Sequence, residues 1–326
     1  MRLPGPLDHL ARWRPVVPPF VVDRALRRMR GGMVTNADGS VRPLNFSERA
    51  IDRTRVLMHR QQTLLDPSPR AMRRERIALP HCSAEWLTLP ESRKGHVLLY
   101  FHGGAYLRGS TDTHIGALSR FMRAARVEAC SVDYRMEPQH RFPAWVEDAV
   151  DAYRDLIEVR GIAPGRIAIA GDSAGGGVAM ALLQQITALE LPQPACAAVI
   201  SPWDDLTCSG PSHAANVDAD AMFGPGLIEH TAEWLAAQAG VERDDPLLSP
   251  AFGTYPGSPP LRIDVSAVEI LRSDAELLAD AYRASGAHVT LVEHPTAPHA
   301  WTAIGGLSAA RQSAREIGAF IDRHLA

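Results

Sequence analysis

The sequence predicts an α/β fold in which helices cover a mostly parallel, eight-stranded sheet. Short apolar runs of strand length recur along the chain, and stretches with helical periodicity separate most of them. With 326 residues, 46% of them hydrophobic, the chain can bury a large core. The predicted strands are 77–79, 85–89, 97–101, 127–132, 167–170, 195–200, 261–265 and 289–292.

The first two strands are close enough in sequence to form a hairpin, and helices separate most of the later ones. Residues 201–258 are too many for a simple crossover, and an insertion of this kind at the strand ends is typical of a lid. The chain therefore divides into an N-terminal region, 1–75, and one domain over 76–326. The predicted helices are 21–30, 47–65, 113–125, 143–160, 174–189, 227–238 (within the insertion), 274–285 and 308–325.

Charge and cysteine content restrict the class of partner. The net charge of −3 predicts no nucleic-acid partner, although residues 1–76 hold 16 arginines against 7 acidic residues. We interpret this segment as a basic arm that docks on an acidic body; an anionic membrane surface or another polyanion is the alternative. No segment is long enough to span a bilayer, and the first residues lack a signal-peptide pattern. The four cysteines show no metal-binding spacing, which favours a reducing cytoplasm.

A serine in a glycine-rich turn is the most informative feature of the sequence. The stretch 171–175 reads Gly-Asp-Ser-Ala-Gly, directly after the buried strand 167–170 and before a helix of small apolar residues. A G-x-S-x-G pattern between a strand and a helix predicts a sharp turn that presents the hydroxyl of Ser173 at the sheet edge. The pattern alone is also typical of ordinary Gly/Ser turns, so the rest of the chain must support it.

A second glycine-rich turn, 102–106, follows the strand 97–101. Consecutive glycines leave backbone N–H groups free to approach a ligand, as an oxyanion hole requires. The alternative is a plain turn that ends a strand. The order along the chain favours the functional interpretation, in which the donors come from this loop and from the residue after the serine. The candidate donors are Gly103, Gly104, Ala105 and Ala174.

A serine nucleophile needs a base, and in this chain order the base follows the last strand. His299 lies between strand 289–292 and the C-terminal helix. His294 also follows that strand and is the main alternative for the base. His102 is better interpreted as a residue that braces the glycine-rich loop.

Together these motifs resemble the hormone-sensitive-lipase-like branch of the α/β-hydrolases, the bacterial family IV esterases. The resemblance covers about residues 76–326, and it implies an α/β-hydrolase fold with a helical cap formed by 1–75 and by the insertion at about 205–245. Further matching stretches are D-Y-R-M-E-P-Q-H-R-F-P at 133–143, S-P-W-D-D-L at 201–206, D-P-L-L-S-P at 245–250 and H-A-W at 299–301.

The family's usual acid motif, D-P-L-x-D, is absent. Aligning 269–273 with it puts Glu269 at the acid position, 30 residues before His299. A subgroup of acetyl-hydrolases, ε-lactone hydrolases and esterases resembles the chain here, with E-[VI]-L-L-x-D instead. Asp274 lies farther beyond the strand and fits the capped start of the next helix. The alternatives left open for the acid are Asp274, Asp204 and Asp205.

The resemblance implies a serine esterase that acts on short- to medium-chain carboxylic esters without a metal or organic cofactor. Ser173 would attack the acyl carbon, His299 would take its proton, and Glu269 would orient the histidine. Lactones, activated amides and N-acetyl groups suit the same machinery, and homodimers are common among relatives. A non-catalytic receptor role is disfavoured because serine, histidine and a carboxylate all remain. The candidate pocket residues, each equally suited to core packing, are Tyr106, Asp172, Trp203, Met222, Phe223 and Trp234.

Overall fold

The computed structural model describes residues 19–34 and 44–326. In this part of the chain one eight-stranded sheet has the order β1-β2-β4-β3-β5-β6-β7-β8. Strand β2 runs antiparallel to both neighbours, and all later pairs are parallel. The strands are β1 (Arg73–Ala78), β2 (Ser83–Thr88), β3 (Arg93–Phe101), β4 (Val127–Asp133), β5 (Ile167–Asp172), β6 (Cys196–Ile200), β7 (Leu261–Ser266) and β8 (Val289–His294).

Helices cover both faces of the sheet. The helices α3 and α9 pack on one face, and α4, α5 and α8 pack on the other, so each face has its own apolar core. The helices are α1 (Pro19–Val34), α2 (Glu48–Leu65), α3 (Thr111–Ala125), α4 (Ala144–Arg154), α5 (Ala174–Ala188), α6 (Ser212–Ala215), α7 (Leu227–Ala239), α8 (Arg272–Ala284) and α9 (Ser308–His324).

The central strands β5 and β6 are buried along their whole length, which explains why they read as continuous apolar runs. Their register aligns the carboxyl ends of four strands. Phe101 pairs with Gly171, Asp172 with Ile200, and Ile200 with Asp264. The loops that follow β3, β5, β6 and β7 therefore meet at one edge of the sheet.

Each predicted strand and helix is present, with shifted ends. The predicted helix 143–160 is α4 followed by a π-helical turn, Asp155–Val159. Ser47 is the residue before α2, but its side chain makes no capping hydrogen bond. Parts of the predicted N-terminal region, residues 1–18 and 35–43, lie outside the described residues.

The described N-terminal segments contact the rest of the chain. Arg27 of α1 donates to the carbonyl oxygens of Asp218 and Ala219 at 2.8 and 2.7 Å. Arg55 of α2 likewise donates to the carbonyls of Leu107 and Glu137 at 2.7 and 2.8 Å. These two arginines therefore reach backbone oxygens of the body rather than its acidic side chains. Among the described helices, none has the length and apolarity needed to cross a membrane.

Candidate active site

The turn between β5 and α5 holds Ser173 in a strained conformation. Its φ and ψ are 54° and −125°, a region that costs a non-glycine residue about 1–3 kcal/mol. Glycines make the turn feasible, since a Cβ at Gly171 would lie 2.2 Å from the carbonyl oxygen of Gly175. A Cβ at Gly175 would lie 2.1 Å from the carbonyl oxygen of Phe101. This geometry matches the turn predicted from the G-x-S-x-G pattern.

A continuous hydrogen-bond chain joins three side chains from distant parts of the sequence. Nε2 of His299 lies 2.9 Å from Oγ of Ser173. Nδ1 of the same ring lies 2.6 Å from Oε2 of Glu269. Ser173, His299 and Glu269 are only 8%, 3% and 1% exposed, so bulk water screens these hydrogen bonds weakly. The arrangement can move a proton from the serine hydroxyl to the imidazole.

The carboxylate of Glu269 is held from its other side. Its Oε1 accepts hydrogen bonds from the Ser201 hydroxyl at 2.8 Å and from the Ser266 N–H at 2.7 Å. The Ser201 hydroxyl oxygen also accepts from the N–H of Ala300, at 3.1 Å, beside the histidine. Ser201 therefore links the loop of His299 to Glu269, a role that the S-P-W-D-D-L stretch alone does not predict.

The charges around His299 favour its protonated form. Burial alone would lower the pKa of His299, but the hydrogen bond and the negative charge of Glu269 outweigh burial. The charges of Asp220 and Asp172 act in the same direction, and the pKa of His299 is raised above its ordinary value. The ring is thus a stronger base than a free imidazole.

The residues that competed for the roles of base and acid have other partners. Nε2 of His294 lies 3.0 Å from the Asp264 carboxylate, and its ring packs on Trp301. Asp274 lies 2.8 Å from His213 rather than near His299.

Two further acids, Asp204 and Asp205, also lie outside the chain of hydrogen bonds to His299. Asp205 accepts from the N–H groups of Thr207 and Ser209 in its own turn. Asp204 is fully buried, and its carboxylate oxygens have no hydrogen-bond partner among the described residues. Only Glu269 of the four candidate acids contacts the ring of His299.

The predicted oxyanion donors differ in their availability. The N–H groups of Gly104, Ala105 and Ala174 donate to no other residue of the described chain. The N–H of Gly103 instead donates to Oδ1 of Asp172 at 3.1 Å. The structure therefore departs from our prediction at Gly103, because a carboxylate already occupies that donor.

Two candidate pocket residues are part of the aromatic core. Tyr106 and Trp203 are each 1% exposed, and their rings lie 5.8 Å apart. Tyr106 also stacks on Trp145 at 4.8 Å. These two side chains support the site from within and offer no accessible surface. Trp234, on α7, stacks on Phe46 at 4.6 Å.

The remaining candidate pocket residues are Phe223, Met222 and Asp172. The ring of Phe223 lies 4.5 Å from the ring of His299, so this residue borders the base. Met222 is half-buried beside it in sequence and packs against the core. Asp172 is 2% exposed and is enclosed by hydrogen-bond donors, which corrects its assignment as a pocket residue.

A small cavity of about 30 Å³ lies beside the acid and the base. Its walls include Glu269, His299, Asp220 and Asp23 of α1. A cavity with these polar walls can hold ordered water. Asp220 accepts from the N–H groups of Phe223 and Ile270, and it is a second supporting residue that sequence reasoning missed.

A separate group could offer metal ligands. The ligand atoms of His81, Asp148 and Asp151 lie within 4.8 Å of one another, the one such group in the described part of the chain. Asp148 already accepts from Arg135 at 2.9 and 2.7 Å. None of the three contacts the serine, histidine or glutamate of the site.

Comparisons with known proteins agree with this geometry. The family model described as alpha/beta hydrolase fold matches residues 98–303. An acetyl-hydrolase from Streptomyces hygroscopicus is 42% identical over 225 residues, which cover 69% of this chain and 74% of the relative. The carboxylesterase/phospholipase LipF from Mycobacterium tuberculosis is 34% identical over 260 residues, covering 76% and 68%. The crystal structure of an esterase from the bacterial hormone-sensitive lipase family superposes with a TM-score of 0.85 at 31% identity, covering 95% and 99%.

The chain therefore belongs to the alpha/beta hydrolase fold family. Within that family it is a carboxylic ester hydrolase of the hormone-sensitive-lipase-like branch. Both the fold class and the family predicted from the sequence motifs are confirmed.

Proposed function

We propose that this chain is a serine carboxylesterase in which Ser173, His299 and Glu269 form the catalytic triad. The observation that carries the proposal is the hydrogen-bond chain of 2.9 and 2.6 Å through both nitrogens of His299. Small carboxylic esters are the substrates that the family implies.

In the acylation step, the Oγ of Ser173 attacks the acyl carbon while its proton passes to Nε2 of His299. The carbonyl π bond breaks to leave an oxyanion. The free N–H groups of Gly104, Ala105 and Ala174 are the donors that we assign to this oxygen. One such donor contributes about 3 kcal/mol to the transition state. Collapse of the intermediate breaks the C–O bond, and the leaving alcohol takes the proton from His299.

In the deacylation step, a water molecule gives its proton to His299 as its oxygen attacks the acyl-enzyme. The second tetrahedral intermediate uses the same oxyanion donors. Its collapse returns the proton to Ser173 and releases the carboxylic acid. Throughout both steps Glu269 remains ionised, keeps the proton on Nδ1 of the ring and stabilises the imidazolium.

We assign the substrate class to short- and medium-chain acyl esters. The similarity to an acetyl-hydrolase supports a small acyl group. Phe223, which packs on the ring of His299, is placed to limit the space beside the acyl carbon. We further propose that the N-terminal region before β1 and residues of about 205–245 form a cap, since Phe46 and α1 both contact the insertion; the last three residues of the predicted N-terminal region, 73–75, lie in β1 of the sheet.

The proposal is tested with Ser173→Ala and a p-nitrophenyl acyl ester. We expect kcat to fall on the order of 10⁴-fold or more, with the fold retained by circular dichroism. Ser119→Ala is the matched control, because Ser119 is a buried serine of α3 whose hydroxyl bonds only to the carbonyl of Gly116. Full turnover in the Ser173→Ala variant would refute the assignment.

A substrate panel separates the ester from its alternatives. Acetyl to decanoyl p-nitrophenyl esters, beside five- to seven-membered lactones and N-acetyl amides, are compared by kcat/KM. We expect acetyl to butyryl esters to have the highest values. A preference for lactones or amides over every open-chain ester would overturn the substrate class while leaving the triad intact.

A further inference from the structure

A buried polar cluster contacts the oxyanion loop, which we define as residues 102–106, and the mechanism above does not use it. Its centre is Asp172, the residue before the nucleophile. One carboxylate oxygen accepts from the Tyr100 hydroxyl at 2.6 Å and from the Gly103 N–H at 3.1 Å. The other lies 3.3 Å from Nε2 of His114. Donors from β3, from the loop and from α3 therefore converge on one carboxylate.

Asp172 and His114 form a buried ion pair, with side chains 2% and 3% exposed. Burial alone would raise the pKa of Asp172, but the charge and hydrogen bond of His114 lower it. Burial alone would lower the pKa of His114, and the charge of Asp172, aided by Asp133, raises it. The neighbouring His102 is neutral at pH 7, because burial and the charge of His114 lower its pKa to about 4. Both shifts favour the charged forms of Asp172 and His114.

The carboxylate determines the path of the oxyanion loop. A Cβ at Gly103 would lie 2.5 Å from Oδ2 of Asp172, so the backbone approaches the carboxylate more closely than any side chain allows. Gly104 follows with φ of +133°, a conformation that favours glycine. The two free amides of Gly104 and Ala105 come directly after the bonded one. Their direction depends on where Asp172 holds Gly103.

Other contacts hold the cluster itself in place. Nδ1 of His114 lies 2.8 Å from the Thr113 hydroxyl in the first turn of α3, where Ser110 and Thr113 form a capping box. On the loop side, the Tyr134 hydroxyl donates to the carbonyl of His102 at 2.7 Å. His114 is thus held by a residue of its own helix, and its ring also stacks on that of His102 in the loop at 5.7 Å.

We propose that the Asp172–His114 ion pair is a positioning device for the oxyanion hole, in which the carboxylate fixes Gly103 and thereby aims the N–H groups of Gly104 and Ala105. A buried ion pair contributes little net stability compared with apolar packing, so stability alone does not account for it. Displacement of a catalytic group by about 1 Å can lower the rate roughly 100-fold, so the rate depends strongly on the position of the oxyanion loop. The inference rests on the proposed esterase function.

The test compares Asp172→Asn, His114→Gln and the double variant. Both single changes keep the side-chain size and a hydrogen-bonding amide but remove one charge. With a p-nitrophenyl butyrate substrate we expect kcat to fall about 10- to 100-fold and KM to stay within about threefold. The Ki of a trifluoromethyl ketone, which forms an anionic tetrahedral adduct on the serine, should rise by the same factor as kcat/KM falls. The double variant should resemble the single ones, because the two residues act as one unit.

Ser119→Ala, on the same helix as His114 but outside the cluster, should leave kcat and Ki unchanged. If either main variant fails to fold, Tyr100→Phe removes one hydrogen bond from Asp172 and should still give a smaller, parallel change in kcat and Ki. Folded variants with wild-type kcat and Ki, or a lower melting temperature without a change in Ki, would overturn the inference. Failure of the esterase function is distinguishable, because the unmodified enzyme would then neither hydrolyse the ester nor bind the ketone at Ser173.

Discussion

Of the buried histidine–carboxylate pairs in the described chain, His299–Glu269 and His213–Asp274 differ in whether the ring also meets a serine. The pair His299–Glu269 has a contact of 2.6 Å, and the pair His213–Asp274 has one of 2.8 Å. The difference lies at the second ring nitrogen. Nε2 of His299 faces the hydroxyl of Ser173, whereas Nδ1 of His213 lies 3.8 Å from a second carboxylate, that of Glu229. A histidine beside an acid therefore becomes a catalytic base only where the backbone presents an alcohol to it.

The two carboxylates are also supported differently. The second oxygen of Glu269 accepts two hydrogen bonds, from Ser201 and Ser266. The second oxygen of Asp274 is buried with no partner among the described residues. Burial raises the pKa of Asp274 to about 6, against the opposing hydrogen bond and charge of His213. Both oxygens of Glu269 are therefore held by donors, which fixes the position of this carboxylate beside His299.

Exchange of each histidine for alanine should separate the two pairs most clearly. We expect His299→Ala to lower kcat on the order of 10⁴- to 10⁶-fold, because no base remains for the Ser173 proton. His213→Ala should leave kcat within about threefold, although it removes a partner from buried Asp274. The measurement is steady-state hydrolysis of p-nitrophenyl butyrate by folded protein. Comparable losses in both variants would contradict the distinction between the pairs.

Glu269→Gln tests the acid and should have the next largest effect. We expect kcat to fall on the order of 10²- to 10⁴-fold, since the amide neither stabilises the imidazolium nor enforces the tautomer that the serine needs. Burst kinetics with the same ester measure this loss. Glu293→Gln, an exposed change on β8, is the matched control, because Glu293 pairs only with Arg272. A wild-type kcat in Glu269→Gln would mean that another residue serves as the acid.

The pH dependence of kcat/KM tests independently whether Glu269 acts on His299. His299 acts as a base when neutral, so kcat/KM should fall as pH drops through its pKa. Because Glu269 raises the pKa of His299, this acid limb should lie above the ordinary histidine value of about 6.5. Loss of the carboxylate in Glu269→Gln should move the limb to lower pH. An unchanged limb would mean that another group controls it.

How far the sequence predicts this site depends on the kind of information involved. Apolar runs and chain order were sufficient for the strands and for the positions of Ser173 and His299. The choice of Glu269 over Asp274 came from alignment with the family's acid motif and from the expected capped helix start at Asp274, whereas α8 begins at Arg272 without a side-chain cap. Local sequence patterns thus identify the elements and the reactive groups that directly follow them.

The direction in which a group points was not predictable in the same way. Gly103 was expected to face the oxyanion, yet its N–H faces Asp172, because the direction of an amide depends on a carboxylate 69 residues away in sequence. Asp172 was expected in the pocket, whereas its carboxylate is buried against Tyr100, Gly103 and His114. Tyr106 and Trp203 read equally well as pocket or core, since aromatic composition carries no information about which face is accessible.

Ser201→Ala should have a smaller effect than loss of the triad members. The change removes a donor to Glu269 and leaves the buried N–H of Ala300 without its acceptor. An unsatisfied buried group of this kind costs about 1–3 kcal/mol, so we expect kcat to fall roughly 10-fold. Ser201→Cys keeps a weak donor and acceptor and should recover part of the loss. If Ser201→Ala matches the wild type, the acid is positioned by the Ser266 N–H alone.

Asp274→Asn should have the smallest effect on rate and a clear effect on stability. The substitution removes the carboxylate that lies 2.8 Å from His213, leaves that of Glu229 at 3.8 Å, and changes nothing that contacts Ser173 or His299. We expect kcat within about threefold of the wild type and an unfolding free energy lower by about 1–3 kcal/mol. For a chain of this size that corresponds to a fall of roughly 2–4 °C in melting temperature per kcal/mol. Kinetics and thermal unfolding on the same sample measure both quantities. A loss of kcat as large as that of Glu269→Gln, at unchanged melting temperature, would mean that Asp274 serves the catalytic histidine after all.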